Sequence, residues 1–267
     1  MLAGGVCLNG SATFPAFQAS PFEHVFIQPA AGDAGGSMGA ALCAWHSLTG
    51  ERVGRSFNAY IGPSYGSNEI ESFLKGRNIA YKRAGLQPLL QEVVDALAAG
   101  HVVGWFQGPM EVGPRALGAR SILANPRVAD MRDRINKAVK LRDHFQPFAP
   151  AILEEWASDY LPGCRMEGPW YYMQFIAPCH PNIAGLIPAV VHVDGTMRPQ
   201  LVNRTTNPRF YNLIVAFRER TGLPLLLNTS FNLTGEPIVQ TPEDAYRTFL
   251  YCGLDMLVLE DCIVRRG

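Results

Sequence analysis

The sequence predicts a mixed α/β (α+β) fold, on three observations. Short apolar runs alternate with stretches of helical periodicity, capping and turn residues stand at the junctions, and no repeat or low-complexity tract breaks the pattern. Lys+Arg and Asp+Glu are both 23 in 267 residues, and 48% of the chain is hydrophobic against 17% charged. Such a chain has ample length for a buried core. It has no overall charge to attract nucleic acid or an anionic membrane, so any anion site must be a local cluster.

The elements follow in order. Residues 1–50 open on an apolar, Gly-rich turn, followed by a strand at 25–27 and a Gly/Ala-rich loop leading into a tightly packed helix by residue 44. Residues 51–68 are polar and rich in Gly, Ser and Asn, which places a domain boundary there, between 56 and 57. A short helix is expected at 68–74 and a longer one at 87–99, where Leu89, Leu90, Val93, Val94 and Leu97 share a face and Gly100 supplies the stop. Residues 102–106 read as a buried strand, 130–139 as a helix, and 171–177 and 189–193 as strands. Asn207-Pro208 opens a helix that Gly222 closes, 225–227 is a strand, Thr241 caps a helix, and 256–259 is the last strand.

No run approaches the ~18 apolar residues of a membrane span, and the N-terminus has no basic flank. Six cysteines without a CxxC pair point to reduced thiols and a cytoplasmic setting.

Six motifs can carry chemistry. Gly4, Gly5 and Asn9 form a turn whose backbone can approach a phosphate, or a plain tight turn. Asp33, among small residues ending at Gly36 and Ser37, can bind a metal, polarise a ribose hydroxyl or cap the helix after it. In Glu111–Leu123 a Gly-Pro pair presents Arg115, with Arg120 and Ser121 close behind. Guanidinium forks and a hydroxyl suit phosphate, though the same residues can make a solvated loop. Lys137, Lys140 and Arg142 lie in a basic stretch interleaved with acids, ahead of the rigid string Gln146-Pro147-Phe148-Ala149-Pro150. His192–Arg198 reads as a strand and turn ending in another guanidinium. Asn228, Ser230 and Asn232 cluster at the C-terminal end of a strand, which is either a ligand position or a hydrogen-bonded turn.

Taken together and in order, segments 2–9, 28–36, 104–123, 145–150, 192–198, 227–232 and 235–244 resemble the NodU/CmcH-type O-carbamoyltransferases, nearly end to end. The resemblance implies two parts. Residues 1–56 would be the C-terminal remnant of a Kae1-like domain of the actin/Hsp70 fold. Residues 57–267 would be a YrdC-like domain with a twisted mixed sheet. It implies that carbamoyl phosphate and ATP form carbamoyl-adenylate, whose carbamoyl group passes to a hydroxyl of a small-molecule acceptor. Arg115, Lys140 and Arg198 would be catalytic, with Arg120, Ser121, Arg142, Asn228, Ser230 and Asn232 binding substrate. Gly4, Gly5, Asn9 and Gly36 would contact nucleotide, and Asp33 would ligate a divalent metal, Mg or Fe.

Two departures stand out. The paired-histidine metal motif of the family is absent, and Gln146 stands where the family usually has arginine. These departures suggest that full transfer needs a companion chain supplying an N-terminal half-domain, or a homo-oligomer, since apolar surface around residues 1–50 would otherwise be exposed. The alternative is a non-catalytic carbamoyl-phosphate- and nucleotide-binding module. A tRNA-modifying relative is disfavoured by the neutral charge balance.

Overall fold

The computed structural model describes residues 1–53, 57–143 and 146–266. The expected boundary at 56/57 therefore falls against residues 54–56, outside the described residues, as do His144 and Phe145. In chain order the named elements are α1 (Gly10–Gln18), α2 (Gly36–Thr49), α3 (Ser67–Gly76), β1 (Lys82–Arg83), α4 (Leu86–Ala98), β2 (Val103–Phe106), β3 (Arg120–Ala124), α5 (Met131–Ile135) and β4 (Ala149–Leu153). These are followed by α6 (Ala157–Tyr160), β5 (Ala177–Pro178), α7 (Pro181–Ala184), β6 (Thr196–Met197), β7 (Gln200–Val202), α8 (Pro208–Thr221), β8 (Leu225–Ser230), α9 (Pro242–Tyr251), β9 (Met256–Leu259) and β10 (Cys262–Arg265).

Eight strands form one mixed sheet in the order β1-β10-β9-β2-β3-β8-β4-β7. The β2–β9 and β4–β7 pairs are parallel and the other five antiparallel. Every residue of β2, β3, β4 and β9 is buried, so both faces of the sheet centre are covered. The cover comes from α4 packed on α8, and from α9 packed on β2 and β9 with α3 beside it. The apolar face expected of α4 is the face it buries. Asn207 caps α8, and Gly222 in the left-handed region ends it. Thr241 and Asp244 close a reciprocal capping box on α9. The α/β class read from the sequence is thus the one observed.

Five element readings are corrected. Residues 25–27 give only an isolated bridge, between Leu2 and Ile27. Of residues 171–177 only Ala177 is in a strand, the start of β5: a 3₁₀ turn with Pro169 in its first turn runs over Gly168–Tyr172, and Met173 leaves it in the left-handed region. Residues 189–193 are turns, with Val190 N–H donating back to Ile187. The helix expected at 130–139 is α-helical only over Met131–Ile135. It then widens into a π turn, Asn136–Lys140, and stops at Leu141 with φ 45°. The chain also continues past β9 into β10.

Residues 1–31 share the main core. Phe14 stacks edge-on with Trp170 and tilts against Phe175, Ile27 is buried, and Thr13 Oγ1 donates to Gln174 O at 2.8 Å. By contrast α2 buries none of its side chains, and Leu42, Trp45 and Leu48 are exposed. The apolar exposure expected around residues 1–50 is therefore present.

Candidate active site

The cation cluster is built by three segments converging on the end of β8. The first is the loop before β3. Glu111 is buried, and its Oε1 accepts from the backbone N–H groups of Leu117 at 2.6 Å and of Ala119 and Arg120 at 3.3 Å. This folds the loop around one carboxylate. Gly113, with φ 113°, lies so close to the segment before α2 that a Cβ would meet Pro29 O at 2.9 Å. Gly118, with φ 99°, is equally obligatory, since a Cβ there would sit 2.1 Å from the Phe210 ring. Between these two points the loop holds out Arg115, whose guanidinium donates to Leu8 O at 3.4 Å.

The second segment is the π turn after α5. Its register brings Lys140 inward, buried, with Nζ donating to Ser230 O at 2.6 Å, Asn232 Oδ1 at 2.7 Å and Asn232 O at 3.1 Å, and lying 3.1 Å from Ser230 Oγ. Burial, helped by Arg142, pushes its pKa down to about 7, while the carbonyl acceptors favour the ammonium. Arg142 follows with Nε donating to Asn136 Oδ1 at 2.7 Å and its guanidinium over the Phe148 ring. The third segment is the turn before β7, which delivers Arg198.

Arg115, Arg142 and Arg198 line one small cavity of about 110 Å³ with Asn228, Thr229, Ser230, Phe148 and Met173. No carboxylate lines it among the described residues, and none of these three arginines or Lys140 is in a salt bridge there. Burial and the like charges of Arg115 and Arg142 lower the Arg198 pKa to about 9. Burial also lowers Arg115 and Arg142. Arg198 Nε and Asn228 Oδ1 are buried without a hydrogen-bond partner. Three converging guanidiniums with spare donors are what a small dianion needs, and removal from water strengthens their pull.

A larger groove of about 570 Å³ shares Pro114 and Ser230 with this cavity. Its lining includes Asn232, Gln240, Asp244 and Arg247. The anion cavity thus opens beside space of nucleotide size.

Of the residues singled out from the sequence, Arg115, Arg142, Arg198, Asn228, Ser230, Asn232 and Lys140 come together. Arg120 and Ser121 do not. The loop expected to carry them is strand β3, and its register sends Arg120 into the interior. Arg120 is fully buried against the Phe106 ring and donates to the carbonyls of Gln107, Gly108, Ala119 and Pro63. Both terminal nitrogens are held by backbone carbonyls, so it braces the loop instead of meeting substrate, and Ser121 Oγ accepts from Gly118 N–H. Gln146 is not among the cavity-lining residues, whereas Arg142 is.

Gly4, Gly5, Asn9, Asp33 and Gly36 are exposed and do not line the cavity, although Leu8, next to Asn9, accepts from Arg115. Asn9 caps α1 by accepting from Ser11 N–H. Among the described residues no three His, Cys, Asp or Glu side chains are grouped to hold a metal. The sequence reading gave no role to Glu111 or Gln200. Gln200 is a polar residue inside a buried, largely apolar stretch, which was the available signal, whereas Glu111 is buried between partly exposed neighbours and nothing local marks it.

A family model described as carbamoyltransferase C-terminus matches residues 94–266, and one described as carbamoyltransferase N-terminus matches residues 1–42. The chain belongs to the carbamoyltransferase family. It is 43% identical to nodulation protein NolO of Bradyrhizobium diazoefficiens, over 99% of this chain and 49% of that protein. It is 32% identical to 3'-hydroxymethylcephem-O-carbamoyltransferase of Streptomyces clavuligerus, over 99% of this chain and 48% of that protein. The chain thus spans about half the length of these curated relatives. Among solved structures, phosphate- and nucleotide-bound HypF superposes with a TM-score of 0.48 at 17% identity, covering 70% of this chain and 23% of that one. The cation cavity lies wholly within the part of the chain matched by the C-terminal model. No helix among the described residues is long and apolar enough to cross a membrane, and all six cysteines are free.

Proposed function

We propose that this chain is the carbamoyl-phosphate-activating part of an ATP-dependent O-carbamoyltransferase, with a YrdC-like domain built on the eight-stranded sheet. The observation that carries this reading is the cavity of three guanidiniums, without a carboxylate partner among the described residues, opening onto a nucleotide-sized groove. Arg115, Arg142 and Arg198 hold the phosphate of carbamoyl phosphate. Cleavage of its carbonyl–oxygen bond by water gives carbamate and inorganic phosphate, and the guanidiniums neutralise the charge gathering on the leaving oxygens. A carbamate oxygen then attacks the α-phosphorus of ATP in the adjoining groove, expelling pyrophosphate and leaving carbamoyl-adenylate. Lys140 fixes Ser230 and Asn232, which line that groove. An acceptor hydroxyl finally displaces AMP from the carbamoyl carbon. No side-chain nucleophile is needed, and positioning with charge neutralisation supplies the catalysis.

The acceptor is a small molecule bearing a hydroxyl, and its site belongs with the N-terminal part of the family's fold. The uncovered face of α2 favours a covering chain or a second copy for that last step. A divalent metal would need ligands beyond Asp33. The setting we assign is cytoplasmic.

The test is pyrophosphate and phosphate release by the purified chain given ATP and carbamoyl phosphate. Release that needs both substrates and is lost in Arg115→Ala is the expected result. Unchanged release in Arg115→Ala removes this cavity from the reaction. Binding of carbamoyl phosphate without release supports the non-catalytic module.

A further inference from the structure

The cavity contains one neutral group whose polarity is dictated from outside it. Asn228, on β8, lines the cavity with 1% of its surface exposed. Its Nδ2 donates twice, to Ala116 O at 3.1 Å and to Gln200 Oε1 at 2.8 Å. Both donors are spent, and Oδ1 is left buried with no donor. Gln200, on β7, is 2% exposed and equally constrained, because its Nε2 donates to Leu117 O at 2.7 Å.

The relay begins and ends on backbone carbonyls, which cannot change roles. Turning either amide over would set oxygen against oxygen at Leu117, at Ala116 or between the two side chains. The amides meet across β4, whose Ala149 and Ala151 pair with Asn228 and Gln200 respectively and are small enough to leave the way clear. Beside the cationic donors of this lining, Asn228 therefore supplies a buried acceptor of fixed orientation.

The dianionic phosphoryl group of an acyl phosphate offers that acceptor nothing, since its oxygens only accept at neutral pH. An amide N–H does. We propose that Gln200 is a positioning residue that locks the Asn228 amide so that its carbonyl oxygen receives an N–H of the carbamoyl group, selecting carbamoyl phosphate over acetyl phosphate. The inference rests on the carbamoyl-phosphate reading above. Acetyl phosphate has the same charge and nearly the same shape, with a methyl group where carbamoyl phosphate has NH₂. Bound here, it would leave Asn228 Oδ1 unpaired in a buried site, and such sites reject the analogue strongly.

The experiment is calorimetry of the purified chain with fresh carbamoyl phosphate, acetyl phosphate and inorganic phosphate, in wild type, Asn228→Leu, Gln200→Met and Gln200→Glu. Wild type should bind carbamoyl phosphate on the order of a hundredfold tighter than acetyl phosphate. Asn228→Leu should bring the two within about threefold while inorganic phosphate still binds, which shows the cavity intact. Gln200→Met removes the lock without touching ligand and should cut the ratio by at least about fivefold. Gln200→Glu keeps an acceptor facing Asn228 Nδ2 but sets an oxygen against Leu117 O, so its ratio should fall between those of wild type and Gln200→Met. Equal affinity of wild type for the two acyl phosphates, or an unaltered ratio in Gln200→Met with phosphate still bound, overturns the inference alone. Failure of wild type to bind any of the three anions overturns the carbamoyl-phosphate reading, and this inference with it.

Discussion

Removing the Glu111 carboxylate should release the loop that presents Arg115. Its Oε1 takes three backbone N–H bonds, from Leu117 at 2.6 Å and from Ala119 and Arg120 at 3.3 Å, all in residues no more than 2% exposed. Glu111→Ala leaves three buried donors unpaired at about 1–3 kcal/mol each. Allowing for partial rearrangement, the loss should be on the order of 3–6 kcal/mol, a large share of a typical domain stability of about 5–15 kcal/mol. Glu111→Gln retains Oε1 but places an NH₂ where Oε2 now lies buried without a partner, and it removes a charge near Arg120. That change should cost about 1–3 kcal/mol.

Urea unfolding followed by tryptophan fluorescence gives these values. Trp105 Nε1 donates to Gly118 O, so that ring reports directly on the loop. Carbamoyl phosphate affinity should fall in parallel in both variants, more steeply in Glu111→Ala. If Glu111→Ala unfolds within 1 kcal/mol of wild type and binds carbamoyl phosphate normally, Glu111 does not organise the loop and the argument is wrong.

Three further outcomes are expected. Arg198→Ala should weaken phosphate and carbamoyl phosphate binding by about 10–10³-fold, the worth of one charge-assisted contact in a dry site, as read by calorimetry. Burial lowers the folded-state pKa of Lys140 to about 7, below its unfolded value. Between those values the unfolded chain binds more protons, so wild-type stability relative to Lys140→Met should rise as pH increases from about 7 toward about 10 and fall as pH drops through 7. A pH-independent difference in urea midpoints between the two would refute this. Thr241→Ala removes the hydroxyl arm of the α9 capping box, leaving the bond from its backbone N–H to Asp244 Oδ2, and should cost about 1 kcal/mol by the same unfolding assay, with phosphate affinity unchanged.

The sequence made the helices legible wherever local chemistry decides them. The apolar face of α4, the proline and glycine bounding α8 and the Thr241 cap are all sequence-local and appear as expected. Strands were harder, because pairing is non-local. β3 is hidden inside a polar motif, and β4 inside a proline string that looked like a rigid linker. The widening of α5 into a π turn left no mark in the 3.6-residue pattern, yet it places Lys140 inward. Within the site, residue type pointed correctly to the arginines, but type alone could not say which way Arg120 faces. In an all-buried strand that is settled by register, and register sends it under Phe106. Gln200 escaped notice because its task is to orient another amide, a relation between strands β7 and β8 that no linear motif records.

The like-signed lining of the anion cavity also has a practical consequence. Without an anion, three guanidiniums face one another, and that repulsion weighs against the folded chain. Any small dianion therefore acts as a counter-ion that binds the folded state alone, and the melting temperature should climb with the logarithm of inorganic phosphate concentration. Phosphate is also a product of the proposed chemistry, so the same cavity makes the protein answerable to the phosphate level around it. A phosphate buffer would stabilise the preparation and inhibit it at once.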